Sequence, residues 1–188
     1  MSRTSAIDDG ELIARLSSVF RDVGYEGATL SALAAATGLQ KASLYHRYPG
    51  GKQQMADEVL AAALAWVADN IIAPLKKDGP LDQRLAAAQR GLTAFYGAGS
   101  TSCLLNVLIT PRGLGGPFDA TIKSAFEGLI NAFTAFAHEA GASRKDARRI
   151  GMRVIALVQG SLVLARGLRD PKPFRDVIDA LPHDLMPN

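Results

Sequence analysis

The sequence has few of the residues on which most metal sites and disulfide-stabilised folds depend. Cys103 is the only cysteine among 188 residues, which excludes an internal disulfide and any zinc site built from several cysteines. The three histidines, His46, His138 and His183, lie far apart and lack the spacing of metal ligands. We therefore predict no metal and no cofactor.

Motifs of common enzymes and membrane proteins are also missing. The segment "RGLGGP" at 112–117 is glycine-rich, but it lacks the lysine-serine pair of a phosphate loop and follows no strand. No nucleophile elbow is found. The longest strongly apolar run, 154–165, contains Gln159, Gly160 and Ser161 and is shorter than the ~20 residues that a bilayer requires. With no apolar signal segment at the N-terminus, we expect a cytoplasmic protein that is not an enzyme.

Helical periodicity covers most of the chain, whereas alternating strand patterns and fixed-period repeats are missing. We predict an all-α fold of about nine helices, and at 48% hydrophobic residues the chain can bury a real core. Three short helices in residues 1–51 would form a first unit and residues 52–188 a larger helical bundle, with the helix 52–72 bridging the two. The predicted helices after the first, which ends at residue 24, are 29–38, 40–47, 52–72, 80–96, 103–109, 117–140, 143–168 and a short last helix from residue 170.

Carboxylates are missing from the interval between Glu26 and Asp57, although the whole chain has a formal net charge of only +3. Within it, a short helix capped by Thr29 ends at Gly38 and a second short helix follows directly, which is the pattern of a helix-turn-helix. Acids would repel DNA phosphates, so their absence favours a DNA-binding surface. We predict DNA contacts from Thr29, Gln40, Lys41, Ala42, Ser43, Tyr45, His46 and Lys52.

The side chains of the second helix suit base and phosphate contacts. Gln40 can bond an adenine edge, Lys41 can reach guanine acceptors or phosphate, and Ala42 can touch a thymine methyl group. Tyr45 and His46 can donate to phosphate oxygens. Thr29 and Lys52 lie at helix N-termini, where backbone amides also favour phosphate. A solvated helical face with a few cations would show the same pattern.

Residues 5–60 resemble the N-terminal domain of the TetR family of transcriptional repressors. The matching elements are Gly24-Tyr25, Thr29 with Leu33-Ala34, Gly38-Leu39, Leu44-Tyr45, the aromatic Tyr48 and Lys52 at the start of the fourth helix. Tyr48 replaces the more usual Phe. The segment Pro49-Gly50-Gly51 gives one residue more than the commonest spacing, which leaves open the phosphate that Lys52 would reach.

By this resemblance, residues 52–188 would form a helical domain that binds a small effector and dimerises. A pocket between the fourth helix and the helices at 81–96 and 103–109 would bind a small, largely apolar molecule. Its candidate residues are Trp66, Phe95, Tyr96, Cys103, Asn106 and Phe118, although residues of these types more often belong to the ordinary core. Cys103 could also sense oxidants if its thiolate were stabilised, the alternative being inert packing.

The helix predicted at 143–168 is apolar around nearly its full circumference, which indicates burial on both sides. We assign one side to the chain's own core and the other to a second copy, because helix-turn-helix proteins usually bind paired half-sites. The predicted interface residues are Phe126, Phe133, Phe136, Val154, Leu157, Val158 and Leu162. A fully internal helix is the alternative.

The sequence thus predicts a ligand-responsive homodimer that binds palindromic double-stranded operator DNA, most simply a repressor that a small effector releases. The alternative is a small-molecule-binding helical protein that has lost DNA binding. Replacing Lys41 or Tyr45 would leave the activity of that alternative unchanged.

Overall fold

The computed structural model describes residues 7–110 and 115–186, and these ranges contain helices and no strand. The all-α prediction is confirmed. The nine helices of the described ranges are α1 (Asp9–Gly27), α2 (Leu30–Thr37), α3 (Lys41–Arg47), α4 (Gly51–Lys76), α5 (Leu81–Phe95), α6 (Leu104–Val107), α7 (Asp119–Glu139), α8 (Arg144–Leu168) and α9 (Lys172–Leu185).

Helix boundaries differ from the predicted ones most clearly in α1, α4 and α6. Helix α1 does not stop at Gly24 but kinks there, at φ 71° and ψ 178°, and continues to Gly27. Helix α4 extends four residues beyond the predicted end at Ile72, and α6 is shorter than predicted at both ends. Of the loop predicted at 111–117, residues 111–114 lie outside the described residues.

Two N-caps are seen in their hydrogen bonds, at Thr29 as predicted and at Ser143, the first residue of the helix predicted at 143–168. The Thr29 hydroxyl accepts from the amide of Ala32 at 3.2 Å and begins α2. The Ser143 hydroxyl accepts from the amide of Asp146 at 3.2 Å and donates to the Asp146 carboxylate at 2.7 Å. Each cap satisfies an amide at a helix start that has no partner within the helix.

The chain divides into two compact units. The first lies within Met1–Ala63 and Leu104–Phe118, and the second within Leu64–Cys103 and Asp119–Asn188. The boundary therefore falls inside α4, between Ala63 and Leu64, and the first unit includes α6. The functional division predicted at residue 51 stays a prediction, since compactness divides the chain elsewhere.

The core of the first unit is built from the helix faces that the periodicity predicts. The first three helices contribute five large, completely buried side chains to it: Leu12, Leu16, Phe20, Leu33 and Leu44. Burying a side chain of this size stabilises the fold by roughly 1.5–3 kcal/mol. Because these residues come from α1, α2 and α3, the orientation of α3 is determined by apolar packing beneath it.

In the second unit, α7 and α9 both pack against α8. Gly151 permits the close approach of α7, since a Cβ at this position would lie 2.4 Å from the Thr134 hydroxyl and 2.7 Å from the Ile130 carbonyl oxygen. The Thr134 hydroxyl itself donates to the Ile130 oxygen at 2.7 Å. Backbone contact of this kind fixes the position of the two helices relative to each other.

An ion pair between the buried Arg84 and the half-exposed Glu139 joins three elements of the second unit. The Arg84 guanidinium donates to both carboxylate oxygens of Glu139, at 2.5 and 2.8 Å, and to the Leu75 carbonyl oxygen at 2.5 Å. These hydrogen bonds hold the pKa of Glu139 below its usual value. Arg84 therefore connects α5 with α7 and with the end of α4.

Helix α4 contains a π-helical segment, Ala68–Ile72, in which the amide of Ala73 bonds the carbonyl of Ala68. Pro74 explains it: proline has no amide hydrogen and its ring collides with the carbonyl four residues earlier, which is that of Asn70. The helix widens to move this carbonyl aside. Gly91 of α5 lies against it, since a Cβ on Gly91 would be 2.2 Å from the Asn70 oxygen.

Helices α4 and α8 are long and apolar enough, by length and composition alone, to cross a membrane. Core helices of globular proteins satisfy the same two criteria. Because both helices pack against other helices of the chain, we interpret them as core helices.

We expect Gly91→Ala to destabilise the protein by about 1–3 kcal/mol, because the added methyl group would overlap a backbone oxygen that cannot rotate away. Urea unfolding at fixed protein concentration measures the change. Gly128→Ala is the matched control, as nothing lies within 4 Å of a Cβ at Gly128. Equal stability of the two variants would contradict the close approach at Gly91.

Candidate nucleic-acid interface

The turn between α2 and α3 is fixed by backbone conformation and by one buried hydroxyl. Gly38 adopts a left-handed conformation at φ 72°, which glycine adopts without the penalty that a Cβ carries. The buried Thr37 hydroxyl donates to the carbonyl oxygens of Leu33, at 2.9 Å, and Ala34, at 3.1 Å. Arg15 of α1 donates to the Thr37 carbonyl oxygen at 3.3 Å. These contacts of Thr37 and Arg15 were not predicted.

Helix α3 has one buried and one exposed face. Leu44 is completely buried and Tyr48 is 2% exposed, so these two side chains attach the helix to the core. The other face is open to solvent, and Tyr45 is 52% exposed there. The exposed face contains the predicted DNA-contacting residues of this helix and its N-cap: Gln40, Lys41, Ala42, Ser43, Tyr45 and His46.

The charges at this face are unevenly compensated. Arg47 forms an ion pair with Asp9, the N-terminal residue of α1. Lys41 has no ion pair in the described part of the chain and is exposed. The Gln40 side chain makes no capping bond to α3, which leaves its amide group available. Lys41 and Gln40 can therefore reach an external ligand without breaking an internal contact.

Thr29 is exposed at the start of α2, and its hydroxyl oxygen is already used as the N-cap. The hydroxyl hydrogen can still be donated to a phosphate oxygen while the oxygen continues to accept from Ala32. The structure is thus compatible with both roles for this residue.

Lys52 is bonded inside the first unit. Its ammonium donates to the carbonyl oxygen of Tyr25 at 2.9 Å and lies 4.3 Å from the centre of the Tyr25 ring. The Glu26 carboxylate is 3.9 Å away. Lys52 therefore joins the start of α4 to the end of α1, a role that the sequence pattern does not show. Burial, and secondarily Glu26 and Asp57, raise the pKa of Tyr25, so its hydroxyl stays protonated at neutral pH.

The additional residue before Lys52 is accommodated by a glycine turn. Gly51 is left-handed at φ 65°, and its amide donates to the Tyr48 carbonyl oxygen at 2.8 Å. The Gly50 amide donates to the Gln54 side chain at 2.9 Å. The turn thus brings the end of α3 and the start of α4 together despite the unusual spacing.

The six predicted pocket residues do not form a single cluster. Trp66, Phe95 and Tyr96 form an aromatic row in the second unit, with ring centres 5.2 and 5.0 Å apart. Cys103 adjoins it, accepting from the Tyr96 hydroxyl at 3.7 Å. Asn106 is exposed and Phe118 is buried, and both belong to the first unit.

Within the described residues, each unit has a cavity that is open to solvent. The cavity of the second unit has a volume of about 320 Å³ and is lined by residues 99–102, 162, 165–166 and 169–171. The cavity of the first unit has a volume of about 480 Å³ and is lined by residues 23–26, 107–110 and 115–118. Of the six predicted pocket residues, only Phe118 lines either of them.

The predicted dimer residues need correction. Five of them are buried within the chain's own second unit, with at most 5% of each residue exposed: Phe133, Phe136, Val154, Val158 and Leu162. Phe126 and Leu157 are half-buried. The exposed apolar side chains of α8 are instead Met152, Val163, Leu164 and Leu168, which are 49–65% exposed. The pattern correctly showed an apolar circumference but not which side faces inward.

Comparison with known proteins identifies the family. Residues 12–59 match the model for bacterial regulatory proteins of the tetR family, and residues 113–180 match that for the C-terminal domain of LmrA/YxaF-like transcriptional regulators. The HTH-type transcriptional regulator LmrA of Bacillus subtilis (strain 168) is 21% identical over 184 residues, covering 94% of this chain and 95% of LmrA.

Solved structures share the fold along nearly the full length. A TetR transcriptional regulator from Legionella pneumophila superposes with a TM-score of 0.77 at 16% identity, covering 98% of each chain. A cysteine mutant of the TetR family regulator CifR, solved with 26-bp double-strand operator DNA, has a TM-score of 0.72 at 22% identity and covers 95% of this chain and 97% of CifR. The chain belongs to the TetR family of transcriptional regulators and contains its helix-turn-helix DNA-binding domain.

We expect Lys52→Met to lower the free energy of unfolding by about 1–2 kcal/mol, since it removes a charged hydrogen bond and a cation–π contact. Lys41→Met is the matched control and should leave stability unchanged, because the Lys41 side chain is exposed. Urea unfolding of the free protein measures both. Equal stability of the two variants would contradict the internal role of Lys52.

Proposed function

We propose that this protein is a dimeric, ligand-responsive repressor that reads palindromic operator DNA with the exposed face of α3. The observation that carries the proposal is the arrangement of α3: Leu44 and Tyr48 hold it from below, and its outer face is polar and free of carboxylates. A structure with the same fold, that of CifR, contains double-strand operator DNA.

On this proposal Gln40 and Lys41 contact base edges, since they lie at the N-terminal end of the reading helix, which enters the major groove first. Ala42 and Ser43 are small enough for close approach. Tyr45 and His46 donate hydrogen bonds to phosphates on one side of the groove, and Thr29 donates to a phosphate on the other side. Lys52 contacts phosphate only if its ammonium, already bonded to Tyr25, donates a second hydrogen.

The dimer interface is proposed on the exposed face of α8. Small and apolar residues share that face along the helix, namely Met152, Ala156, Gly160, Val163, Leu164, Gly167 and Leu168, all exposed. Exposed apolar surface of this extent on a helix indicates a partner. The small residues allow a second helix to approach closely. Two reading helices could then occupy half-sites about 34–36 Å apart.

The effector is proposed to bind at the aromatic row of the second unit. Gln159 supports this position: its amide nitrogen is 3.5 Å from the Tyr96 hydroxyl, while its side-chain oxygen is buried without a hydrogen-bond partner in the described chain. An effector with one donor group and an apolar body would satisfy that oxygen. Its binding would reduce operator affinity if it changed the half-site spacing, and operator DNA would reduce effector affinity by the same factor.

Operator binding is tested by fluorescence anisotropy on the DNA that flanks the gene. We expect one palindromic segment to bind tightly with a steep salt dependence. Lys41→Ala and Tyr45→Ala should each weaken binding roughly tenfold or more.

Arg90→Ala is the control for the loss of one positive charge, since Arg90 is exposed on α5 in the second unit. It should leave the affinity within about twofold of the wild type, as screening reduces the effect of a distant surface charge. Weak binding that is equal on all DNA and indifferent to Lys41 and Tyr45 would favour the alternative, a ligand-binding protein without DNA binding.

We expect Val163→Glu to convert the dimer to a monomer, because two carboxylates would be buried against the partner helix. Operator affinity should fall by roughly 10²-fold or more, since the two half-sites would no longer be bound together. Sedimentation velocity gives the mass. Ala94→Glu, at an exposed position of α5, is the matched control and should remain a dimer. A dimeric Val163→Glu variant would refute the interface on α8.

A further inference from the structure

The cavity of the first unit lies between the end of α1 and the segment that follows α6. Its walls are residues 23–26, 107–110 and 115–118, and its volume is about 480 Å³. Cavities of this size bind small molecules in many proteins. The helix α1 is kinked at Gly24, and Gly24 lies close to α6, since a Cβ there would be 3.3 Å from the Val107 carbonyl oxygen. The kink therefore shapes one wall of the cavity.

Exposed apolar side chains concentrate at its opening. Seven large apolar or aromatic residues are exposed in the described chain. Tyr45 belongs to the reading helix and four others to the exposed face of α8. The remaining two, Val23 at 52% and Ile109 at 50% exposure, both line this cavity. They are unexplained by DNA binding or by dimerisation.

The chemistry of the walls favours an uncharged occupant. Val23, Val107, Leu108, Ile109 and Phe118 supply apolar surface, and the Thr110 hydroxyl can form one hydrogen bond. The Glu26 carboxylate lies at the wall with its side chain 94% exposed, and the Lys52 ammonium is 3.9 Å from it. Glu26 is the one charged residue of the described walls, and because its carboxylate faces solvent beside a cation, the surface that a ligand would cover is mainly apolar.

We propose that this cavity is a binding site for a compact, uncharged, mostly apolar molecule, and that its occupancy is coupled to operator binding through Tyr25 and Lys52. It is distinct from the effector position proposed above. The binding claim stands by itself, whereas the coupling claim rests on the proposed function.

The coupling follows a short series of contacts inside the first unit. Phe118, in the cavity wall, packs edge-to-face on Tyr25 with ring centres 5.1 Å apart. The Tyr25 carbonyl oxygen holds the Lys52 ammonium at 2.9 Å. Lys52 directly follows Gly51, where a Cβ would lie 3.7 Å from the Tyr45 ring of the reading helix. A molecule that displaces Phe118 or Tyr25 therefore shifts the residues that set the start of α4.

Binding is tested on the full-length protein without DNA, by methyl-TROSY spectra of the valine, leucine and isoleucine methyl groups. The probes are indole, indole-3-acetate and tryptamine, which share one ring system and differ in charge. We expect indole to shift the methyl signals of Val23, Val107, Leu108 and Ile109 with a dissociation constant on the order of 1 mM or below, as a fragment of this size permits. Indole-3-acetate and tryptamine should bind at least tenfold more weakly.

Val23→Trp fills the opening and should weaken indole binding at least tenfold. Ser18→Trp adds the same side chain to an exposed position of α1 outside the cavity and should not. No saturable shift with indole, or an equal affinity for both variants, would overturn the site. Tighter binding of either charged probe would overturn the assigned ligand class. Shifts that depend on protein concentration without a probe would assign the cavity to a second copy instead.

The coupling is tested by operator affinity with and without saturating indole. We expect a change of at least threefold in the wild type and none in Lys52→Met, where the contact to Tyr25 is lost. Unchanged affinity with the cavity occupied would overturn the coupling and leave the site. Absence of any specific operator would refute the proposed function, while the binding result would stand unaffected.

Discussion

The hydrogen bond from Lys52 to the carbonyl oxygen of Tyr25 ties together the two ends of the helix-turn-helix region, α1 and the start of α4. It joins residues 27 positions apart and connects the end of α1 to the first turn of α4. Helices α2 and α3 lie in the chain between these two connected points. The ammonium also lies over the Tyr25 ring, which adds a second attraction at the same place. A lysine can make both contacts because its charge is a compact point on a flexible chain. The exposed face of α3 can therefore remain polar and unattached.

Large exposed apolar residues of the described chain fall into three groups. Tyr45 lies on the polar face of α3, four residues lie on α8, and Val23 with Ile109 lie at the cavity of the first unit. A globular protein leaves such groups uncovered where something else will cover them. Each group has a different chemistry, which is why we assign DNA, a second copy and a small molecule to them respectively.

The helices, their caps and the helix-turn-helix could be predicted because they depend on local signals. Thr29 and Ser143 cap helices through hydrogen bonds three residues along the chain, and Gly38 acts at its own position. The partners of Lys52 and Arg84 could not be predicted, because these contacts span 27 and 55 residues. The sequence also did not predict which side of α8 faces the core. An apolar residue such as Val158 gives the same sequence pattern whether it packs against its own core or against a partner. Tertiary packing decides such cases.

The π-helical segment at Ala68–Ile72 has a mechanical consequence for α4. An α-helix is stiff because every carbonyl is bonded along the axis, whereas here the ladder is interrupted beside Pro74. Helix α4 therefore consists of two stiff α-helical segments joined by a more flexible π-helical joint. The backbone of Gly91, in contact with that joint, restrains its bending. The stiffness of α4 is therefore a property that α5 confers on it from outside.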